Sequence, residues 1–237
     1  MDSNGTITPS GDLFLKVIRG EKWDHPIYPD DPSHREIAVS VLPRRGLPEA
    51  VNEWRLNNLR NVSRGWRKLA VARAAQRYHG MPFMYGALWL KVFRGDGAIE
   101  DLGLASLRVV TSAGVNYITA DMAAGANDIN LFKFHGFGTG GTAEAAGDTA
   151  LVTEETTAYN PDNTRPTGSQ SSSTNTYTTV ATYSPDSGGT RAITEHGIFT
   201  ATTAGTLLDR SLFSVVNLVA ASDSLQATYV LTVPSGS

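Results

Sequence analysis

Two hydrophobic periods run along the chain. Between Pro48 and His79, Val51, Trp54, Leu59, Val62, Trp66 and Leu69 recur mostly at three- and four-residue steps. That spacing predicts an amphipathic helix of up to about 30 residues. Pro48 suits a first helical turn, Glu49 and Glu53 favour its positive end, and Gly80-Met81-Pro82 is a stop signal. Gly65 weakens the middle by about 1 kcal/mol relative to alanine, so a kink or two shorter helices stay open.

Before the helix, Leu13 to Gly20 reads as a strand, and Pro26, Pro29 and Pro32 mark an extended surface segment. Residues 36–42 form a second strand candidate, ended by Pro43. After the helix, Ala87 to Gly95 echoes the opening strand: Leu, Leu, Lys, Val, Arg and Gly stand at matching positions in both. Two copies are too few for a solenoid. They read as edge-like strands in equivalent roles, or as a chance likeness.

From residue 105 the period changes to two. Val109-Val110-Thr111 precedes a turn at Ala113-Gly114, followed by the extended candidate Val115 to Ile118. Leu131 to His135 alternates large apolar with polar residues, and Thr149 to Thr153 is a further short strand candidate. Between them lies a loop with five glycines, Gly136 to Gly147. Asn160 to Thr176 is polar and reads as a long mobile loop or a projecting hairpin. Tyr177–Tyr183, Arg191–Thr200, Leu207–Leu218 and Ser224–Val233 read as four strands separated by turn residues. The expectation is a mainly β protein. An antiparallel β-sandwich of hairpins in sequence order spans 105–237, and an α+β region with one long basic helix spans 1–100.

Charge supports a boundary near residue 100. Residues 1–100 hold 15 Lys/Arg and 11 Asp/Glu, a net of +4, while residues 101–237 hold 5 and 12, a net of -7. The overall charge of -3 gives no strong field toward nucleic acid or an acidic membrane. The helix carries Arg55, Arg60, Arg64, Arg67, Lys68, Arg73 and Arg77 against two acids. These cations form either a solvated face or the contact surface for an acidic partner, protein or packaged nucleic acid. Met1 to Thr6 lack the basic start and apolar core of a signal peptide, and no apolar run reaches the roughly 20 residues of a membrane span. A chain that is soluble and not conventionally exported is expected.

Candidate chemistry is sparse. With no cysteine, disulfides, thiolate zinc sites and thiol nucleophiles are excluded. The glycines at 136–141 lack the following Lys-Ser/Thr of a phosphate loop, and no Gly-x-Ser-x-Gly elbow exists. His135 and His196, with Glu195, Asp209 and Asp223, are the candidates for a mixed histidine/carboxylate metal site. Adjacent residues on a strand point to opposite faces, so Glu195 and His196 cannot serve one site without a bulge. Structural histidines, no metal, no cofactor and no enzymatic activity are expected. Asp209-Arg210 and Asp223 read as polar staples at strand ends, either surface ion pairs or parts of a network.

Several segments are similar to proteins encoded among the structural genes of tailed bacteriophages. They are Val110 to Ile118, Asp128 to His135, Gly138 to Leu151, Ala192 to Phe199, Gly205 to Phe213 and Asp223 to Leu231. The likeness covers about residues 105–234, and Thr194-Glu195-His196-Gly197 with Asp209-Arg210 is its most distinctive part. The resemblance implies a virion component assembled in the host cytoplasm, with no catalytic motif to carry over. A capsid decoration protein is expected first. It would sit on the major capsid protein or other virion proteins as a homo-oligomer, often a trimer at local threefold positions. A tail-fibre or baseplate appendage contacting a host receptor is the alternative. Fibre shafts show long repeats and none is visible here, which favours the head.

Overall fold

The computed structural model describes residues 41–79, 84–124, 128–186 and 190–233, without the side chains of 73–79, 109 and 124. The strand candidate at 13–20 and the proline segment lie outside them. Of the candidate at 36–42 only Val41 and Leu42 are described; both are buried and neither is in a strand.

The protein is mainly β, with two antiparallel sheets. The first has β1 (Tyr85–Phe93), β2 (Ile99–Val109), β4 (Ser169–Ser173), β5 (Thr176–Tyr183) and β8 (Ser224–Thr232), in the order β2-β1-β8-β5-β4. The second has β3 (Phe134–Gly138), β6 (Arg191–Phe199) and β7 (Leu207–Leu218), in the order β3-β6-β7. Helix α1 spans Glu49–His79, and a second helix, α2, spans Ser112–Ala124.

Period-2 alternation builds the core. On β8, Leu225, Ala227, Tyr229 and Leu231 point inward while Ser224, Gln226, Thr228 and Val230 point outward. Leu88, Leu90 and Val92 of β1 join them and meet Phe137, Ile193, Ile198, Phe213 and Val216 of the second sheet in one cluster. Each such side chain contributes about 1.5–3 kcal/mol by leaving water. From Leu207 to Phe213, β7 is buried on both faces, so its sequence reads as a near-continuous run rather than an alternation.

Four expectations are corrected. The boundary near residue 100 falls at the start of β2: β1 pairs with β2 and, from Tyr85↔Thr232 to Phe93↔Ser224, with the final strand. The charge change at residue 100 therefore does not divide the described residues. β1 is accordingly an interior strand, not an edge. The strands also do not follow sequence order, because β8 inserts between β1 and β5. Finally, residues 112–124 are helical where an extended segment was expected at 115–118. Thr111 decides this: its Oγ1 accepts from Gly114 N–H at 3.1 Å and its carbonyl from Val115 N–H at 3.0 Å. That is helix N-capping, and it overrides the β preference of Val115, Tyr117 and Ile118. Thr111 also donates its hydroxyl to the Leu207 carbonyl at 2.7 Å, tying the cap to β7.

Shorter elements shift too. Ile129–Leu131 is a 3-10 turn capped by Asp128, so the strand begins at Phe134 and takes in Gly136 and Gly138. Thr149 to Thr153 is loop, whereas 169–183 forms the hairpin of β4 and β5.

Helix α1 runs unbroken through Gly65. A Cβ at that position would overlap the Leu107 carbonyl oxygen of β2. The glycine therefore permits close approach of helix to sheet, which explains a residue that costs helix stability. Val62 and Leu69 of α1 pack with Val41, Ala87, Leu104 and Leu107 on the outer side of β1 and β2.

Candidate functional site: a helix face and a buried polar network

The buried side of α1 seals two sheet edges at once. β2 ends the first sheet and β7 ends the second. Asn58, 1% exposed, donates its amide to Ala105 O of β2 at 2.9 Å and accepts from Ser214 N–H of β7 at 2.8 Å. Trp54 Nε1 donates to the carbonyls of Ser214 and Val215, each at 3.0 Å. Side chains of the helix thus satisfy backbone groups that a neighbouring strand would otherwise bond.

Arg55 belongs to this sealing layer, which corrects its assignment to the contact surface. It is 3% exposed, and its guanidinium donates to Leu42 O and Asp101 O at 3.0 Å each. Burial, with the nearby Arg44, lowers its pKa from the ordinary value.

The opposite side of α1 faces outward. Arg60, Arg67 and Lys68 are exposed there, beside Leu56 at 54% and Val71 at 71% exposure. Leu56, Arg60, Arg67 and Val71 fall on one stripe by helical spacing. Arg64 is half-buried at its flank and donates to Asn61 Oδ1. The side chains of Arg73 and Arg77 lie outside the described residues. Trp54 and Trp66 are half-buried, and Val62 and Leu69 are buried, as their spacing predicts.

Inside the protein, the candidate chemical residues separate into two layers. Glu195 and His196 point to opposite faces of β6, as strand geometry requires. On the sheet–sheet side, His135 Nδ1 lies 3.0 Å from His196 Nε2, and His135 Nε2 lies 3.1 Å from Thr179 Oγ1 of β5. Both rings are fully buried. Among the described residues no three His, Asp or Glu gather as a metal-binding group.

On the other side, Glu195 is the hub of a buried ion network. It accepts from the amides of Gly140 (3.1 Å), Val152 (3.1 Å) and Thr153 (2.8 Å), and from Arg210 Nε at 2.8 Å. Arg210 also donates to Asp148 and to Thr142 O, both at 3.0 Å. The glycine-rich loop is explained by this carboxylate: a Cβ on Gly140 would overlap Glu195 Oε1. Arg210 and Asp209 are 3% and 1% exposed, so the surface ion-pair alternative does not describe them.

Sequence reasoning missed three further buried or half-buried pairings. Arg108 pairs with Glu144, Arg165 with Glu154 beneath the Phe199 ring, and Arg191 with Glu155. Four of the five Lys/Arg of residues 101–237 are therefore turned inward onto acids. No local helix or strand period announces them, because the partners of the first two pairs stand 36 and 11 residues apart. Asp223 is a true staple. It accepts from Gly95 N–H (3.0 Å), Val219 N–H (2.9 Å) and Arg94 Nη1 (3.0 Å), while Arg94 also grips Glu100. Desolvation opposes its charge, but these donors hold its pKa below the usual value.

Asp209 behaves oppositely. Burial raises its pKa to about 7, against the Ser211 hydrogen bond at 3.0 Å and the Arg108 guanidinium; Glu144 adds to the rise. The histidines are driven the other way, His135 to about 3 and His196 well below its ordinary value, both mainly by burial. The signs follow from proton counts. Between about pH 4 and 7 the native state keeps a proton on Asp209 that the unfolded chain has released, so this group lowers stability as pH rises. Below about pH 6.5 the unfolded chain protonates histidines that the fold keeps neutral, so stability falls toward pH 3. Asp209→Asn removes the first of these effects only. Guanidinium denaturation should show the variant gaining on the wild type by on the order of 1 kcal/mol or more between pH 4.5 and pH 8. A pH-independent difference would mean Asp209 is charged throughout.

Among the described residues no helix is long and apolar enough to cross a membrane. No known family model matches the chain, and no curated protein shows significant similarity to it.

Proposed function

We propose that the protein is a structural component of a tailed-bacteriophage virion, a capsid decoration protein that binds the assembled head. The observation that carries this reading is the exposed stripe of α1, where Arg60 and Arg67 stand beside exposed Leu56 and Val71, with exposed Lys68 at its flank. Singly exposed aliphatic side chains are common on protein surfaces, and the reading rests on Leu56 and Val71 sharing one helix stripe with Arg60 and Arg67. The stripe is held rigidly because Asn58, Trp54 and Arg55 lock the reverse side of the same helix to both sheets. The partner that fits is an acidic protein tile, such as a major capsid protein surface, with the cations steering contact and the aliphatics closing it.

The resemblance of residues 105–234 to phage structural proteins supports the same assignment. In this reading the two sheets are a β-sandwich that serves as a durable outer module. The buried network keeps its fold without metal or cofactor, and the role is not enzymatic. The particle assembles in the host cytoplasm. Contact with nucleic acid is not part of the proposal.

Quantitative mass spectrometry of purified particles tests the placement. On the order of hundreds of copies per particle is the expected result, as symmetry-related head sites require. About a dozen copies or fewer would reject the head and favour a tail or baseplate part.

A further inference from the structure

Of the four strands that end the two sheets, three are blocked. β2 and β7 are covered by α1, as described above. β3 is met by the chain entering β4: His135 N–H donates to Pro166 O at 3.0 Å and Gly168 N–H to Lys133 O at 2.7 Å. The fourth, β4, is Ser169-Gln170-Ser171-Ser172-Ser173, and all five residues are exposed. It is short, but it carries no lysine, no proline and no bulge, and beyond Gly168, where Lys133 ends its contact, no described segment bonds its outward backbone groups.

The register fixes which groups are free. Ser173 and Thr176 flank a two-residue turn in which Thr174 has φ 51°. Ser173, Ser171 and Ser169 therefore turn their backbone groups toward β5. Gln170 and Ser172 turn theirs outward. The bonds at Pro166 and Gly168 confirm the parity, since both are even-numbered positions whose backbone groups point away from β5. The Gln170 side-chain amide is occupied elsewhere, on Asn130 O and Tyr177 Oη at 2.8 Å each. It does not fold over its own strand edge.

We infer that β4 pairs antiparallel with β4 of a second copy of this chain across a twofold axis at Ser171, joining two five-stranded sheets into one. The match is self-complementary. With Ser171 opposite its own twin, Gln170 lies opposite the second copy's Ser172, and these are the residues with outward backbone groups. Two such pairs give four backbone hydrogen bonds. No charge lies between 169 and 173, so none meets its like across the axis. Five residues make a small contact, and the pairing is expected to be reversible in the micromolar to millimolar range, on the order of ten to several hundred micromolar. The inference is independent of the virion reading.

Sedimentation equilibrium of the full chain up to about 0.5 mM reads the association. A dimer is expected, and Ser172→Pro should weaken it at least about tenfold, since it removes an outward donor that β5 does not use. Ser171→Lys should do the same by placing two like charges face to face. Because the chain has no cysteine, Ser171→Cys supplies a single thiol at the axis. It should form a disulfide-linked dimer under mild oxidation, whereas Ser169→Cys should not, because its twin lies roughly 13 Å away along the strand. Unchanged circular dichroism in each variant shows that the fold is kept. A monomer at every concentration, or an oligomer indifferent to both Ser172→Pro and Ser171→Lys, would overturn the inference. Cross-linking through Ser169→Cys but not Ser171→Cys would overturn the register.

Discussion

Glu195→Ala should destabilise the protein by at least about 3–5 kcal/mol, the cost of leaving a buried charge without its partner. Arg210 would keep Asp148 and the Thr142 carbonyl but lose its fully buried carboxylate. The amides of Gly140, Val152 and Thr153 would lose their common acceptor at the same time. Against a total stability of about 5–15 kcal/mol for a domain, that loss is close to unfolding. A second variant separates the two contributions. Glu195→Met with Arg210→Met removes both charges and restores apolar volume, which for a simple ion pair is often neutral or stabilising. Here the three amides stay unsatisfied, each costing about 1–3 kcal/mol. The double variant should therefore recover only part of the loss in urea denaturation. Full recovery would show that the amides find other partners and that Glu195 serves Arg210 alone.

Gly65→Ala is expected to destabilise by about 1–3 kcal/mol, opposite in sign to the usual effect of this substitution in a helix. Intrinsic propensity favours alanine by about 1 kcal/mol. The added Cβ, however, meets the Leu107 carbonyl and the Arg108 guanidinium, and a backbone oxygen cannot move aside alone. α1 must lift from β2, which strains the Asn58 bond to Ala105 and the packing of Val62 and Leu69. The melting temperature of Gly65→Ala reads this directly. A more stable variant would mean that the helix does not lie this close to the sheet.

The parts of the fold that local pattern controls were legible in the sequence. α1 and β5 to β8 stand within about a residue of the bounds that periodicity and turn chemistry predict. α2 was not, because Val115, Tyr117 and Ile118 favour a strand and only the Thr111 cap argues for a helix. Strand order was hidden as well. That β8 lies between β1 and β5 is a long-range pairing, and no turn signal encodes it. At the candidate site, spacing separated the inward Val62 and Leu69 from the outward Arg60 and Arg67. It failed for Arg55, which lies on the buried side but ends on two backbone carbonyls rather than in water. Composition likewise shows a net charge of -7 over residues 101–237 but not where its few cations go. Most of them hold the interior together, and only partners distant in sequence reveal this.

Cosedimentation with purified heads at increasing salt tests the docking role of α1 most directly. Arg60, Arg67 and Lys68 are changed together to glutamine, a variant whose stability should move by only a few tenths of a kcal/mol per site because all three are exposed. Wild-type affinity should fall as salt rises, and the triple variant should bind at least about tenfold more weakly at low salt. Salt-independent binding of equal strength by both proteins would contradict the account, leaving the exposed cations of α1 as a solvated face.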